Sequence, residues 1–207
     1  MKNRAGFGQR LFLVCCALLF FPGAGFAETV FAPRVDYPTT NPFFVAAGDL
    51  NSDTHQDLAV ANWSANTVTV FLGSGDGTFA AQSPVAVGVH PNSIATGLMN
   101  DDSHLDLAVA SGGGIRDVTL LLGDGSGGFT SIVSIDVTNN GDYPNGDADI
   151  NYLLSGDFDG DGDPDLAAAG GADKTLNILM NTGDGTFAIR KTLATSNPFY
   201  WLECADL

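Results

Sequence analysis

The chain has 207 residues, of which 24 are acidic and 8 basic, giving a formal net charge of −16, with 26 glycines. Such a surface repels nucleic acid and anionic membranes and concentrates cations. The length is enough for a hydrophobic core, and the glycine content points to a turn-rich domain.

Lys2, Arg4 and Arg10 precede an apolar run from Leu11 to Phe21, and Pro22-Gly23 leads into Gly25-Phe26-Ala27. A basic front, a run too short to span a bilayer and a small-x-small end predict a secretory signal peptide over residues 1–27. The mature chain then begins at Glu28, is secreted or displayed at the cell surface, and has no membrane-inserted segment. Cys15 and Cys16 leave with the signal, so Cys204 is alone and no intrachain disulfide forms.

Residues 28–207 are organised by a repeat. AAGDLNSDTHQDLAVAN (46–62) returns as ATGLMNDDSHLDLAVAS (95–111) and as LSGDFDGDGDPDLAAAG (154–170). Each copy is followed by a second phrase, TVTVFLGSGDGTF (67–79), DVTLLLGDGSGGF (117–129) or TLNILMNTGDGTF (175–187). In the first unit this predicts strands over Phe43 to Ala47, Leu58 to Ala61, Thr67 to Leu72 and about Phe79 to Val87, with an acidic loop after the first and a Gly-Asp turn after the third. The run LAVA (58–61) reads as a strand covered on both faces. Four strands in a period of about fifty residues is the pattern of a β-propeller blade.

The predicted architecture is therefore all-β: blades at about 41–89, 90–148 and 149–196, with 197–207 opening a fourth, where ECADL (203–207) matches AAGDL (46–50). TVFAPRVDYP (29–38) reads as an outer strand lacking its own blade, with Phe31 in the column of Phe79, Phe129 and Phe187, and TNNGDYPNGDAD (138–149) as an enlarged connection. On this reading the chain is a fragment of a closed ring.

The acidic loops carry the chemistry. In the third copy Asp157, Asp159, Asp161 and Asp165 occupy positions 1, 3, 5 and 9, with Gly162 at position 6 and Asp163 at position 7. Calcium takes 6–8 oxygen ligands, which four carboxylates, the position-7 carbonyl and water can supply. The first loop offers Asp49, Asn51, Asp53, the His55 carbonyl and Asp57. The second begins with Leu98 and offers Asn100, Asp102, the His104 carbonyl and Asp106, with Asp101 facing away by alternation. Ligand count ranks them third, first, second. A helix–loop–helix calcium hand is excluded because its twelfth position needs Glu, whereas counting from Asp157 gives Ala168 and from Asp49 gives Val60. Magnesium wants fewer carboxylates, and zinc wants His or Cys. His55 and His104 are expected to point their side chains into solvent.

The pattern (F/L)xxxGDxNxDxxxDLAVA with NxGDGTF after it resembles the FG-GAP or VCBS-type repeats of bacterial secreted proteins, related to the calcium-bearing blades of integrin α-subunit propellers. The resemblance covers residues 31–207 and implies a β-propeller, usually of seven blades, with calcium ions in its hairpin loops. Leu98, Thr54 and Ser103 depart from the pattern. The function implied by the resemblance is that of a secreted, calcium-stabilised module that binds a protein or glycan; the alternative is the accessory propeller of a larger secreted hydrolase or lyase. Neither reading makes this chain an enzyme, and no GxSxG, HExxH or Cys/His pairing occurs in it. Trp63, Tyr143 and Trp201 are open to two readings, a carbohydrate-stacking surface or inter-blade packing. Asn62-Trp63-Ser64 is a formal glycosylation sequon in a turn and is discounted.

Overall fold

The structure is a computed structural model that describes residues 34–113, 117–137, 149–171, 174–197 and 202. The expectations for residues 1–27 and 29–33, Tyr143, Trp201 and 203–207 lie outside these. Thirteen strands form three antiparallel sheets, with no helix among the described residues. The first sheet holds β1 (Pro42–Gly48), β2 (Asp57–Asn62), β3 (Thr67–Gly73), β4 (Phe79–Ala81) and β5 (Val85–Ala86). The second holds β6 (Pro91–Gly97), β7 (Asp106–Ser111), β8 (Asp117–Gly123) and β9 (Phe129–Asp136). The third holds β10 (Ile150–Gly156), β11 (Asp165–Gly170), β12 (Thr175–Asn181) and β13 (Phe187–Ala194).

In each sheet the strands pair in chain order, the meander of a propeller blade. The blades stack through their first strands, β6 packing against β1 and β2 while β10 packs against β6 and β7.

The outer strand expected over 79–87 is broken into β4 and β5, whereas β9 and β13 are continuous. Ala81 pairs with Phe71 and Val85 with Val68, so four steps on one strand oppose three on the other. The extra residue falls beside Pro84, which has no amide to give to the ladder.

The apolar runs have a direction. On β2, Leu58 and Val60 point to one face with Val45, Phe71 and Phe79, while Ala59 and Ala61 point to the other with Val68 and Val70. The second blade repeats this: Ile94, Leu107, Val109 and Leu121 meet the alanine face of the first blade. In the third, Leu153, Leu166, Ala168 and Leu179 meet Ala95, Ala108 and Ala110 of the second. Each junction thus presses a bulky face onto a small one, so adjacent sheets come close without leaving voids. Burying one Leu or Val side chain this way contributes about 1.5–3 kcal/mol.

Glycines at the ends of the first strands set the same registry, since a Cβ on Gly48 would meet Leu105 Cδ1 at 2.9 Å, and one on Gly97 would meet Pro164 Cβ at 3.3 Å. Polar ties add direction: the Leu153 amide donates to Ser93 Oγ at 3.0 Å, and the Ser155 hydroxyl to the Thr96 carbonyl at 2.7 Å.

Residues 34–38, part of the expected outer strand, form no strand. Tyr37 instead lies on the bulky face of the first blade, with its ring edge-on to Phe71 and Phe79 at centroid distances of 5.8 and 5.6 Å.

Candidate metal centre

Each acidic loop joins the first two strands of its blade, so all three loops lie at one end of the stack with the Gly-Asp turns that come after β3, β8 and β12. The ninth position of each loop is also the first residue of the second strand, and there Asp57, Asp106 and Asp165 are fully buried. All three make one arrangement. One carboxylate oxygen accepts the amide of the loop's second residue: Leu50, Met99 or Phe158, each at 2.8 Å. The other accepts the amide at the end of the third strand, from Gly73 at 2.7 Å, Gly123 at 2.8 Å or Asn181 at 2.9 Å. The ninth carboxylate therefore fastens the acidic loop to the next hairpin. Two amide donors offset the cost of burying its charge. For Asp106 burial still outweighs them and raises its pKa above the ordinary carboxylate range.

The first position decides how the loop is wound. Asp49 accepts the amides of Asp53 at 3.1 Å and Thr54 at 2.8 Å, and Asp157 accepts those of Gly160 at 2.7 Å and Gly162 at 3.1 Å. Turning those amides inward requires left-handed backbone at positions 4 and 6. Gly160 and Gly162 adopt it (φ 82° and 101°), and so do Ser52 (φ 61°) and Thr54 (φ 71°), the last despite its branched side chain. With Leu98 in first place the second loop has no such acceptor, and neither Asp101 nor Ser103 is left-handed.

Positions 3 and 5 of the first two loops satisfy each other. The Asn51 side-chain amide donates to Asp53 Oδ2 at 2.9 Å and its oxygen accepts the Asp53 amide, while Asp53 Oδ1 accepts the His55 amide at 2.8 Å. Asn100, Asp102 and His104 repeat the pattern. The His55 amide and then the Asn51 side chain hold Asp53 below the ordinary carboxylate range.

In the third loop position 3 is Asp159, and the outcome differs. Asp157, Asp159 and Asp165 each offer an oxygen, and these lie within 4.8 Å of one another. Two oxygens on a calcium ion, each 2.3–2.6 Å from it, are at most about 5 Å apart, so this triad fits a single shell. A Cβ on Gly160 or Gly162 would meet no atom within 4 Å, so these glycines serve the turn rather than packing. Asp161, expected as a fourth ligand, stands outside the triad and accepts the Asp163 amide at 3.0 Å.

At position 7, His55 is exposed, as expected, and His104 is half-buried; a Cβ on Gly75 or Gly125 would overlap the ring of His55 or His104, so each ring also lies over the glycine of the adjacent Gly-Asp turn. His55 Nδ1 also lies 3.2 Å from Asp53 Oδ1. In the third blade Asp163 takes that place over Gly183, and Asp101 of the preceding blade approaches the same glycine. Asp101 thus turns from its own loop toward the next blade. Desolvation, and after it the carboxylates of Asp161, Asp101, Asp157 and Asp165, raises the pKa of Asp163. Sequence spacing identified the acidic positions but missed this cross-blade contact, although the alternation that turned Asp101 away from its loop was the signal.

At the opposite end, Trp63 comes directly after β2 and stacks on His90 with ring centroids 3.8 Å apart and planes inclined by 8°. Trp63, Phe43 and Val89 are exposed there. Asn62 of the sequon is buried, and its side-chain nitrogen donates to Thr67 and Thr69, so it cannot present itself to a glycosylating enzyme.

Residues 157–207 match the family model described as FG-GAP-like repeat. The match begins at Asp157, the first position of the loop that gathers the triad. No curated protein matches the chain.

Proposed function

We propose, taking as premise that this chain is an FG-GAP-type repeat protein, that it is an exported propeller module, stabilised by calcium at its third acidic loop, that binds a protein or glycan partner. The observation that carries the calcium assignment is the Asp157, Asp159 and Asp165 triad. Calcium would neutralise charges that otherwise repel at a cost of roughly 1–4 kcal/mol per pair near a surface. The first loop, closed by its own Asn51–Asp53 bonds, ranks below it, and the second, without an acid at position 98, ranks last.

FG-GAP repeats are typical of extracellular proteins, and no helix among the described residues is long and apolar enough to cross a membrane. The basic and apolar leader adds the expectation of export. Partner binding is assigned to the end opposite the acidic loops, where Trp63 and its neighbours are exposed. No catalytic role is assigned to the loop carboxylates, since they serve backbone amides and the triad. Within a larger polypeptide the same module would act as the accessory propeller of a secreted hydrolase or lyase, a reading that a contiguous catalytic domain would favour.

Calcium titration calorimetry on the folded protein tests the site. Wild type is expected to show one dominant binding event that Asp159→Ala abolishes and Asp102→Ala leaves in place. Retention of that event in Asp159→Ala removes the third loop as the site.

A further inference from the structure

Gly73, Gly123 and Asn181 end the third strands of the three blades, and each gives its main-chain amide to the buried carboxylate at the ninth position of its own loop. The first two leave no room for a side chain, because a Cβ on Gly73 would overlap the Gln56 carbonyl oxygen and one on Gly123 the Leu105 carbonyl oxygen. In the third blade a side chain is present, and the matching carbonyl, that of Pro164, accepts a hydrogen bond from Asn181 Nδ2 at 3.1 Å.

That nitrogen also donates to the Met99 carbonyl of the second blade's acidic loop at 3.1 Å, while the side-chain oxygen accepts the Gly183 amide at 3.1 Å. Asn181 is 3 % exposed, so a buried, neutral and fully bonded group holds its own loop, its own Gly-Asp turn and the neighbouring blade. Met99 in turn gives its amide to Asp106. Hydrogen bonds therefore run without a break from Asp165 through Asn181 and Met99 to Asp106. Between the first and second blades the corresponding carbonyl, that of Leu50, is reached instead by the amide of Gly127, four residues beyond the one bonded to Asp106. The second junction also brings carboxylates of two blades, Asp101 and Asp163, up to the same glycine, Gly183. Like charges gathered there oppose the docking of the third blade.

We propose that Asn181 is a positioning residue that couples the third acidic loop to the second blade, so that calcium in the loop tightens the seating of the third blade. This rests on the calcium reading of that loop. Asp165 belongs to the triad. A carboxylate held in place fixes the Asn181 amide, and the planar side-chain group then meets the Met99 and Pro164 carbonyls together. A displaced Asp165 would cost that group one of its acceptors. Coupling of this kind is reciprocal, so the seated blade raises calcium affinity by the factor by which calcium favours seating.

Asn181→Gly gives the third blade the residue that the other two carry, keeping the amide donated to Asp165 and removing only the side chain. Calorimetry on the full chain is expected to show calcium binding retained but about three- to tenfold weaker, the effect of lost hydrogen bonds. Ser155→Ala removes a bond across the same junction, to the Thr96 carbonyl, without touching the loop, and should leave calcium affinity unchanged. By hydrogen exchange, calcium should slow the Met99 amide and the Leu153 amide, which is bonded to Ser93 across the junction, several-fold more than the Gly73 amide of the first blade. In Asn181→Gly at saturating calcium that excess should disappear. Affinity and slowing in Asn181→Gly equal to wild type would overturn the coupling and leave the third-loop site standing. Equal weakening in Ser155→Ala would show general loosening of the junction and overturn the assignment to Asn181. A wild type that takes up no calcium, or an Asp159→Ala variant that takes it up undiminished, would refute the calcium reading and the coupling with it. Should Asn181→Gly fail to fold, the wild-type exchange decides: calcium that slows Met99 and Leu153 no more than Gly73 overturns the coupling.

Discussion

Asp106 offers the cleanest view of the carboxylate brace, because its loop begins with Leu98 and lacks the acid with which a cation site would start. Asp106→Ala removes the shared acceptor of the Met99 and Gly123 amides, both bonded at 2.8 Å and both buried. A hydrogen bond to a charged group is worth about 1.5–3 kcal/mol, and each buried donor left unmade costs about 1–3 kcal/mol. The two bonds share one carboxylate whose charge is itself disfavoured by burial, so the expected loss is about 3–4 kcal/mol rather than the upper sum. Asp106→Asn keeps one acceptor oxygen and turns its amide group toward the other donor, giving an intermediate loss. The control is Asp102→Ala, an exposed residue that gives up bonds to Asn100 and His104 only, for under about 1 kcal/mol. Urea unfolding monitored by circular dichroism and tryptophan fluorescence reads the difference, with an unchanged slope showing that the same surface is exposed. If Asp106→Ala costs no more than Asp102→Ala, the brace does not hold the loop.

Leu98→Asp is expected to add a calcium-binding event to the second loop by calorimetry, more strongly when combined with Ser103→Gly, since both the acceptor and the left-handed turn are then supplied. Gly75→Ala should cost about 1–3 kcal/mol, because Gly75 has φ 76° and its new Cβ would strike the His55 ring. In a double-mutant cycle His55→Ala should return the steric part and leave the backbone part, and no return at all would mean that the ring does not cover this turn. Asp76, Asp124 and Asp184 have their pKa values lowered, first by the hydroxyls of Thr78, Ser126 and Thr182 and then by further hydroxyl or backbone bonds. Their stabilising contribution is therefore present above the ordinary carboxylate value of 3.8 and is lost as pH falls through their folded values. Asp106 is shifted upward, so the pH-dependent part of its contribution has the opposite sense, fully present below 3.8 and lost as pH rises through its folded value, while the two amide bonds to its carboxylate persist above it. Urea midpoints measured across acid pH should consequently fall less steeply in Asp184→Asn than in wild type.

Much of the fold was legible because a repeated phrase fixes its own alignment: LAVA and its Gly-Asp turns marked the second and third strands of each blade. What the pattern could not carry was which neighbour each side chain meets. Asp57 and Asp53 are both acids at odd loop positions, yet one is buried under two amides and the other is exposed, a difference set by where β2 begins. Asp161, counted as a fourth ligand, is not grouped with the triad, and one of its oxygens accepts the Asp163 amide just as Asp53 and Asp102 accept the His55 and His104 amides. That the rings of His55 and His104 also lie over glycines was not legible, because those glycines are some twenty residues further along the chain. Tyr37 read as part of an outer strand, and among the described residues its segment pairs with none, its ring lying on Phe71 and Phe79 instead.

The alternation of Leu and Val against Ala on β2 and β7, kept on β11 by Leu166 alone, gives the blades a head and a tail. A unit copied in tandem brings a matching surface to both of its neighbours, so this architecture can lengthen or shorten by whole repeats without redesigning any junction. A slip of a single residue in the second strand would instead exchange head for tail, setting bulk against bulk on one side and leaving a gap on the other. Changes in the size of the molecule are thus confined to multiples of one repeat, while insertions of other lengths are restricted to the connections between one blade's last strand and the next blade's first.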